Sequence, residues 1–174
     1  LTVTVDNLDR RARGIAAAEA VRSLDGVAEI VLVGDDPFGY YSRPGLAYYL
    51  TGEMVEKQLF PFTTKDFERL NLRYVKGRAT KILRDENCVE MDGKNRVAYD
   101  RLLIAVGAQA VRLTVPGAEL EGVVKLDHLT DARHISQLTR RTRRAVVVGG
   151  GITALELVEG LVSQRVKVTY LLRG

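Results

Sequence analysis

Residues 145–156, with the sequence AVVVGGGITALE, restrict the folds open to this chain more than any other stretch. Three consecutive valines read as a strand buried on both faces. The three glycines that follow predict a tight turn at which backbone can approach a phosphate. After them Ile152, Leu155, Leu157, Val158, Leu161 and Val162 recur at helical spacing. Residues 166–172, VKVTYLL, predict the next strand. Gly149, Gly151 and Ala154 therefore form a G-x-G-x-x-A pattern between the strand and the helix of a βαβ unit. The free N–H groups and the dipole of such a helix N-terminus favour the pyrophosphate of a dinucleotide. Strand, helix and second strand together raise the motif above a glycine-rich turn that binds nothing.

A second unit of the same kind precedes it. Residues 1–8 alternate weakly and predict a strand; residues 14–24 are good helix formers, stopped by Asp25-Gly26. Residues 27–34 predict a buried strand that closes on Asp35-Asp36-Pro37, an acid in the position that holds a ribose diol in dinucleotide folds. In residues 38–50, Ser42 is a candidate cap, Pro44 a candidate helix start and Gly52 its end. Tyr40, Tyr41, Arg43, Tyr48 and Tyr49 crowd this stretch, either as a ligand wall or as packing on the domain below. Thr64 is expected to cap a helix through Leu70, and residues 72–75 form a short strand. Residues 79–97 read as an antiparallel meander turning at Asp85-Glu86 and at Asp92-Gly93-Lys94, before another buried strand over 102–107. Thr130 or Asp131 caps a helix through Leu138. Pro and Gly cluster between Val111 and Leu129, which puts a domain boundary there, with domains at 1–115 and 116–174.

Composition narrows the function classes. The 174 residues include one cysteine, Cys88, which rules out an internal disulfide framework and suits a reducing cytoplasm. No apolar run has the length of a membrane span, and the N-terminus lacks the basic and apolar regions of a signal peptide, so a cytoplasmic location with no membrane partner is expected. The net charge of +4 is modest, and its sharpest clusters lie at residues 10–13 and 140–144. The second follows a predicted helix, so its arginines read as a solvated helix end near C-terminal carbonyls, with no nucleic acid as partner. No His, Cys or carboxylate spacing calls for a metal.

Two βαβ units with a meander in the first resemble the FAD-dependent pyridine nucleotide-disulfide oxidoreductase superfamily, in its branch of rubredoxin and ferredoxin reductases and the flavin domain of nitrite reductase. Five segments carry the likeness in order: residues 17–22 (AAEAVR), 30–37 (IVLVGDDP), 41–46 (YSRPGL), 99–108 (YDRLLIAVGA) and 146–156. The resemblance implies an α/β fold: a Rossmann-like FAD-binding domain with an antiparallel meander, followed by an incomplete second Rossmann-like βαβ unit. It implies FAD on the first unit and NAD(P)H on the second, with hydride passing from nicotinamide to flavin and electrons moving on to a redox-protein acceptor. Carried onto this chain, Gly14 belongs to the first phosphate loop and Asp36 holds the adenosine ribose. Arg43 and Pro44 lie near the pyrophosphate and flavin. Ala79 meets adenine through its backbone, and the turn of Ala105, Val106 and Gly107 passes close to FAD. Gly149, Gly151 and Ala154 receive the nicotinamide cofactor's pyrophosphate, and Glu156 faces the nicotinamide end. No acid–base catalytic residue is implied, because the cofactors carry the chemistry.

The chain departs from the family pattern at three points. The first phosphate loop has Asp9 and Arg11 where glycines are expected, with only Gly14 kept; two side chains there obstruct close backbone approach to a phosphate, and Asp9 adds like charge. Val106 stands where the family has Thr. The sequence ends just after the second strand of the nicotinamide unit, whereas relatives run to about twice its length. The redox C-x4-C is absent as well, which suits a reductase that passes electrons straight from flavin. These departures leave a second expectation open: a degenerate, non-enzymatic Rossmann-like module that no longer holds FAD. They also predict self-association of the chain through uncovered strands. The last strand ends in Leu172-Arg173 with no acid, which leans towards NADPH.

Overall fold

A computed structural model describes residues 2–6, 11–107 and 110–172, the first stretch and residues 11 and 12 by backbone alone. The elements run β1 (Thr2–Asp6), α1 (Arg11–Leu24), β2 (Ile30–Gly34), α2 (Gly45–Thr51), α3 (Thr64–Arg69), β3 (Leu72–Lys76), β4 (Ala79–Leu83), β5 (Cys88–Met91), β6 (Arg96–Ala98), β7 (Arg101–Ala105), α4 (Leu129–Thr139), β8 (Arg144–Val148), α5 (Ile152–Ser163) and β9 (Lys167–Leu171). They fall into two units: Leu1–Tyr41 with Phe60–Ala108, and Ser42–Leu59 with Gln109–Gly174.

In the first unit, β3-β2-β1-β7 is a sheet of parallel strands, as crossover through a helix requires. The chain moves outward from β1 to β2 and β3, then returns to place β7 on the other side of β1. That reversal is a topological switch point, and the crevice outside the carboxyl ends of β1 and β7 is where open α/β sheets bind ligands. The antiparallel β4-β5-β6 meander packs Val89, Met91 and Val97 onto Val31 and Val33 of β2, with Val75, Ala79, Tyr99 and Leu102 around them. Each fully buried side chain of this size stabilises by roughly 1.5–3 kcal/mol. Both predicted turns are present as short 3-10 turns, over Arg84–Glu86 and Asp92–Lys94.

In the second unit β8 pairs with β9 in parallel, and α5 connects them. Helix α2 packs on α5: Gly160 lies against Leu50, where an added Cβ would come within 3.1 Å of the Leu50 Cβ. Gln164 caps the contact by donating to the Leu50 carbonyl.

Several elements differ from expectation for local physical reasons. The helix expected from Gly14 begins at Arg11. The strand expected from Val27 begins at Ile30, because Asp25 Oδ1 accepts from the N–H groups of Val27 and Ala28 at 2.9 and 3.0 Å; the turn so fixed leaves Val27 92% exposed. Helix α3 is capped by Thr63 rather than Thr64, with Asp66 accepting from the Thr63 N–H at 2.8 Å. Helix α4 starts one residue earlier than Thr130; Asp131 caps it by reaching back to the N–H groups of Asp127 and His128. The two-faced burial expected of residues 146–148 is not found. Side chains alternate along β8, so Val147 is buried while Val146 and Val148 are 62% and 55% exposed. Likewise β7 is an edge strand beside β1, and Ile104 on it is 54% exposed rather than buried.

Candidate dinucleotide site

The strand-turn-helix junction in the second unit is built almost entirely from backbone. The Gly149 N–H donates to the Leu171 carbonyl at 3.1 Å, tying the turn to the end of β9. Gly149 has φ +146°, a conformation that disfavours other residues, and a Cβ there would lie 3.2 Å from the Cβ of Ala154. A small residue at 154 is thus needed for α5 to sit close to the strand. Nothing lies within 4 Å of the Cβ positions of Gly150 or Gly151. Gly151 is the N-cap of α5, with φ −89° and ψ 168°, and its carbonyl accepts from the N–H of Ala154 at 3.1 Å. The first N–H groups of an α-helix have no acceptors inside it, so this open face presents donors and the positive end of the dipole to an anion. Gly149, Gly151 and Ala154 thus come together in one turn that fits a pyrophosphate. Glu156 is half-buried one helical turn further on.

In the first unit the predicted residues lie at several places along the strand ends. Ala105 ends β7 opposite Asp6 of β1, at the switch point, and is buried; Gly107 follows, exposed, with φ +65°. Asp36 stands just past β2 and is 3% exposed, its Oδ1 accepting from the Phe38 N–H at 2.7 Å. This carboxylate therefore first orders the 36–38 turn. Ala79 opens β4 opposite Met91. Gly14 is buried in the first turns of α1. Ala105 and Gly107 thus stand at the carboxyl end of β7, beside the switch point. Asp9 lies outside the described residues, as do the side chain of Arg11 and all of Arg173.

Arg43 and Pro44 belong to the second unit, Pro44 as the exposed residue preceding α2. Arg43 is held by Asp127, a residue that the sequence reading passed over. Arg43 Nη2 donates to Asp127 Oδ1 at 3.1 Å, Lys125 donates to Oδ2, and the Ala110 N–H donates to Oδ1 at 3.0 Å. Burial pushes the Asp127 carboxyl up, but the Lys125 and Ala110 hydrogen bonds and the charges of Lys125 and Arg43 outweigh it and hold the group below the usual aspartate range. The only signal in the sequence was an acid closing the apolar VVKLD stretch. Glu56 and Arg133 form a bidentate pair at 2.6 and 2.9 Å; the hydrogen bond from Arg133, opposed by burial and aided by its charge, lowers the Glu56 carboxyl.

A cavity of about 310 Å³ opens on the first unit, walled by Phe38, Tyr40, Phe60, Phe62, Phe67 and Tyr74 among others. Of the tyrosines and arginine read as a ligand wall, Tyr40 lines it and Tyr41, Arg43, Tyr48 and Tyr49 do not; none of the residues assigned to a cofactor is among the lining. Among the described residues no His, Cys, Asp and Glu group could hold a metal, and no helix is long and apolar enough to cross a membrane.

A parallel sheet with a switch point, a meander packed on it, and a glycine-lined strand-to-helix turn in a second unit define a dinucleotide-binding α/β protein. The chain belongs to the pyridine nucleotide-disulphide oxidoreductase family, whose model matches residues 13–174. Among curated proteins it is 31% identical over 151 residues to a probable ferredoxin reductase of Castellaniella defragrans, covering 86% of this chain and 37% of that one. Among solved structures, an NAD-dependent persulfide reductase from A. fulgidus matches with a TM-score of 0.85 and 31% identity, over 98% of this chain and 34% of that one. A ferredoxin reductase from Rhodopseudomonas palustris shares the fold with a TM-score of 0.87 at 24% identity, over 97% and 42%. The chain thus spans between about a third and two fifths of the length of these relatives.

Proposed function

We propose that this chain supplies cofactor-binding elements of an FAD-dependent NAD(P)H oxidoreductase that passes electrons to a redox-protein acceptor. Residues 1–115 are assigned to FAD, and residues 116–174 to the NAD(P)-binding domain. The observation that carries the reading is the side-chain-free cradle at residues 149–151, opening directly onto the N-terminus of α5. The names of the Castellaniella and A. fulgidus relatives, a ferredoxin reductase and an NAD-dependent reductase, support the same class of chemistry.

When bound, a nicotinamide and a flavin supply the two-electron transfer and the onward release of electrons. The work assigned to the chain's own residues is binding and positioning. Gly149 and Gly151 let the nicotinamide cofactor's pyrophosphate reach backbone N–H groups, Ala154 lets α5 approach the strand, and Glu156 faces the nicotinamide end. Ala105 and Gly107 line the switch point for FAD, with Gly14, Asp36 and Ala79 assigned to its phosphate, ribose and adenine. Arg43 and Pro44 are assigned as cofactor contacts on the resemblance alone. No side chain is assigned a proton-transfer role.

A second reading has one specific observation in its favour: Asp9 and Arg11 occupy positions where close phosphate approach calls for glycine. On that reading the chain is a Rossmann-like module without FAD. Visible absorbance after incubation with FAD and gel filtration separates the two. Stoichiometric retained flavin supports the reductase, whereas a colourless protein that gains flavin affinity on Asp9→Gly with Arg11→Gly supports the second reading.

A further inference from the structure

The cavity of the first unit is not used by any residue assigned above, yet it is well made. Ile15 and Leu32, 4% and 5% exposed, contribute to its lining, and its wall is aromatic. The Tyr40 and Phe62 rings meet edge to face at 5.1 Å and 81°, and Phe62 meets Phe67 at 6.2 Å and 73°. Such contacts fix ring orientation. The Tyr74 hydroxyl donates to the Gly34 carbonyl at 2.9 Å, and the Asp36 carboxylate holds the loop leading to Phe38. The wall is therefore preorganised rather than a gap left by loose packing.

We infer that this cavity is a binding site for a neutral planar aromatic molecule of one or two fused rings, lined by none of the residues assigned above to FAD or NAD(P)H. Three observations select that class. Among the described residues no Lys, Arg, His, Asp or Glu lines the cavity, so they offer a charged ligand no partner for its desolvated charge. Aromatic rings dominate the wall, which offers ring faces and edges to a planar guest and little to a branched aliphatic one. The volume sits at the lower end of small-molecule pockets, about 300–1,000 Å³. Thr64, exposed at the first position of α3, places a hydroxyl at the rim for one polar substituent.

The test is a calorimetric titration of the 174-residue chain with 2-naphthol, and with two size-matched comparisons, decahydro-2-naphthol and 2-naphthoate. Saturable one-to-one binding of 2-naphthol is expected, at least tenfold weaker for either comparison, and unchanged by saturating FAD. Thr64→Trp fills the mouth from a surface position and should weaken 2-naphthol binding at least tenfold with an unaltered circular dichroism spectrum. Phe62→Leu, which keeps an apolar side chain but removes a ring, should weaken it as well and serves if the first variant does not fold. Absence of saturable binding to the folded chain overturns the inference. So does equal affinity for decahydro-2-naphthol, displacement by FAD, or a folded variant that binds as the parent does.

Discussion

Arg43 donates to Asp127 across 3.1 Å, and Asp127 is only 2% exposed. The carboxylate also takes a hydrogen bond from Lys125 and one from the Ala110 N–H, so one buried acid joins the segment before α2 to residues 110 and 125. Taking an ion out of water costs several kcal/mol unless partners replace its hydration, and here two cations and an N–H do so. Asp127→Ala leaves Arg43 and Lys125 as neighbouring like charges. We predict a loss of about 2–4 kcal/mol in urea unfolding, below the value for a fully buried pair because both cations reach solvent. Arg43→Ala, which leaves Lys125 in place, should cost clearly less.

The same carboxylate sets an acid limit on stability. Its folded value lies below the ordinary one, so its contribution is complete above the unfolded value of about 3.9 and disappears as pH falls through the folded value. Glu56, lowered by the Arg133 hydrogen bond, acts in the same direction. Denaturation midpoints should therefore be flat near neutrality and fall below about pH 4. Asp127→Asn should flatten that fall; an unchanged acid limb would show that Asp127 does not contribute to it.

Gly149 and Gly151 should separate stability from binding. Gly149→Ala forces a side chain into φ +146° and to 3.2 Å from Ala154, and should cost about 1–3 kcal/mol. Gly151 has φ −89° and open space around its Cβ position, so Gly151→Val should change stability by no more than about 1 kcal/mol. Thermal melts of both variants check the contrast, and equal losses would contradict it.

The uncovered apolar surface of the second unit predicts self-association. Val146, Val148, Ile152, Leu155 and Val162 are each more than half exposed, with strand edges beside them. Sedimentation velocity at micromolar concentration should show species larger than one chain. Val148→Lys combined with Ile152→Lys should shift the distribution toward the monomer; a monomeric parent would remove the argument.

How much was legible in the sequence depended on the range of the forces involved. The continuous apolar, β-branched run of residues 30–34, the turn residues of the meander and the glycines at 149–151 are local signals, and each produced the expected element. The start of β2 was misplaced because a single side-chain acceptor, Asp25, overrides the strand propensity of Val27. Burial on both faces of β8 was misjudged because three valines in a row look the same whether one face or two is covered. The role of Asp127 and, Tyr40 apart, the aromatic cavity depend on residues far apart in the chain: Arg43 meets Asp127, Tyr40 meets Phe62, and Phe62 meets Phe67. The glycine turn at 149–151 is legible because its geometry is local. The partner of Arg43 is not, because pairing is tertiary.

Dinucleotide binding at the turn between β8 and α5 is the central claim, and it can be measured directly. Titration of the 174-residue chain with NADPH and NADH, followed by calorimetry, should give saturable one-to-one binding of at least one of them. In Gly151→Val, folded to the same extent, that binding should weaken by at least tenfold, because a side chain would then stand in the open space proposed for the pyrophosphate. Absence of binding to the folded parent, or an affinity unchanged in Gly151→Val, would contradict the central claim.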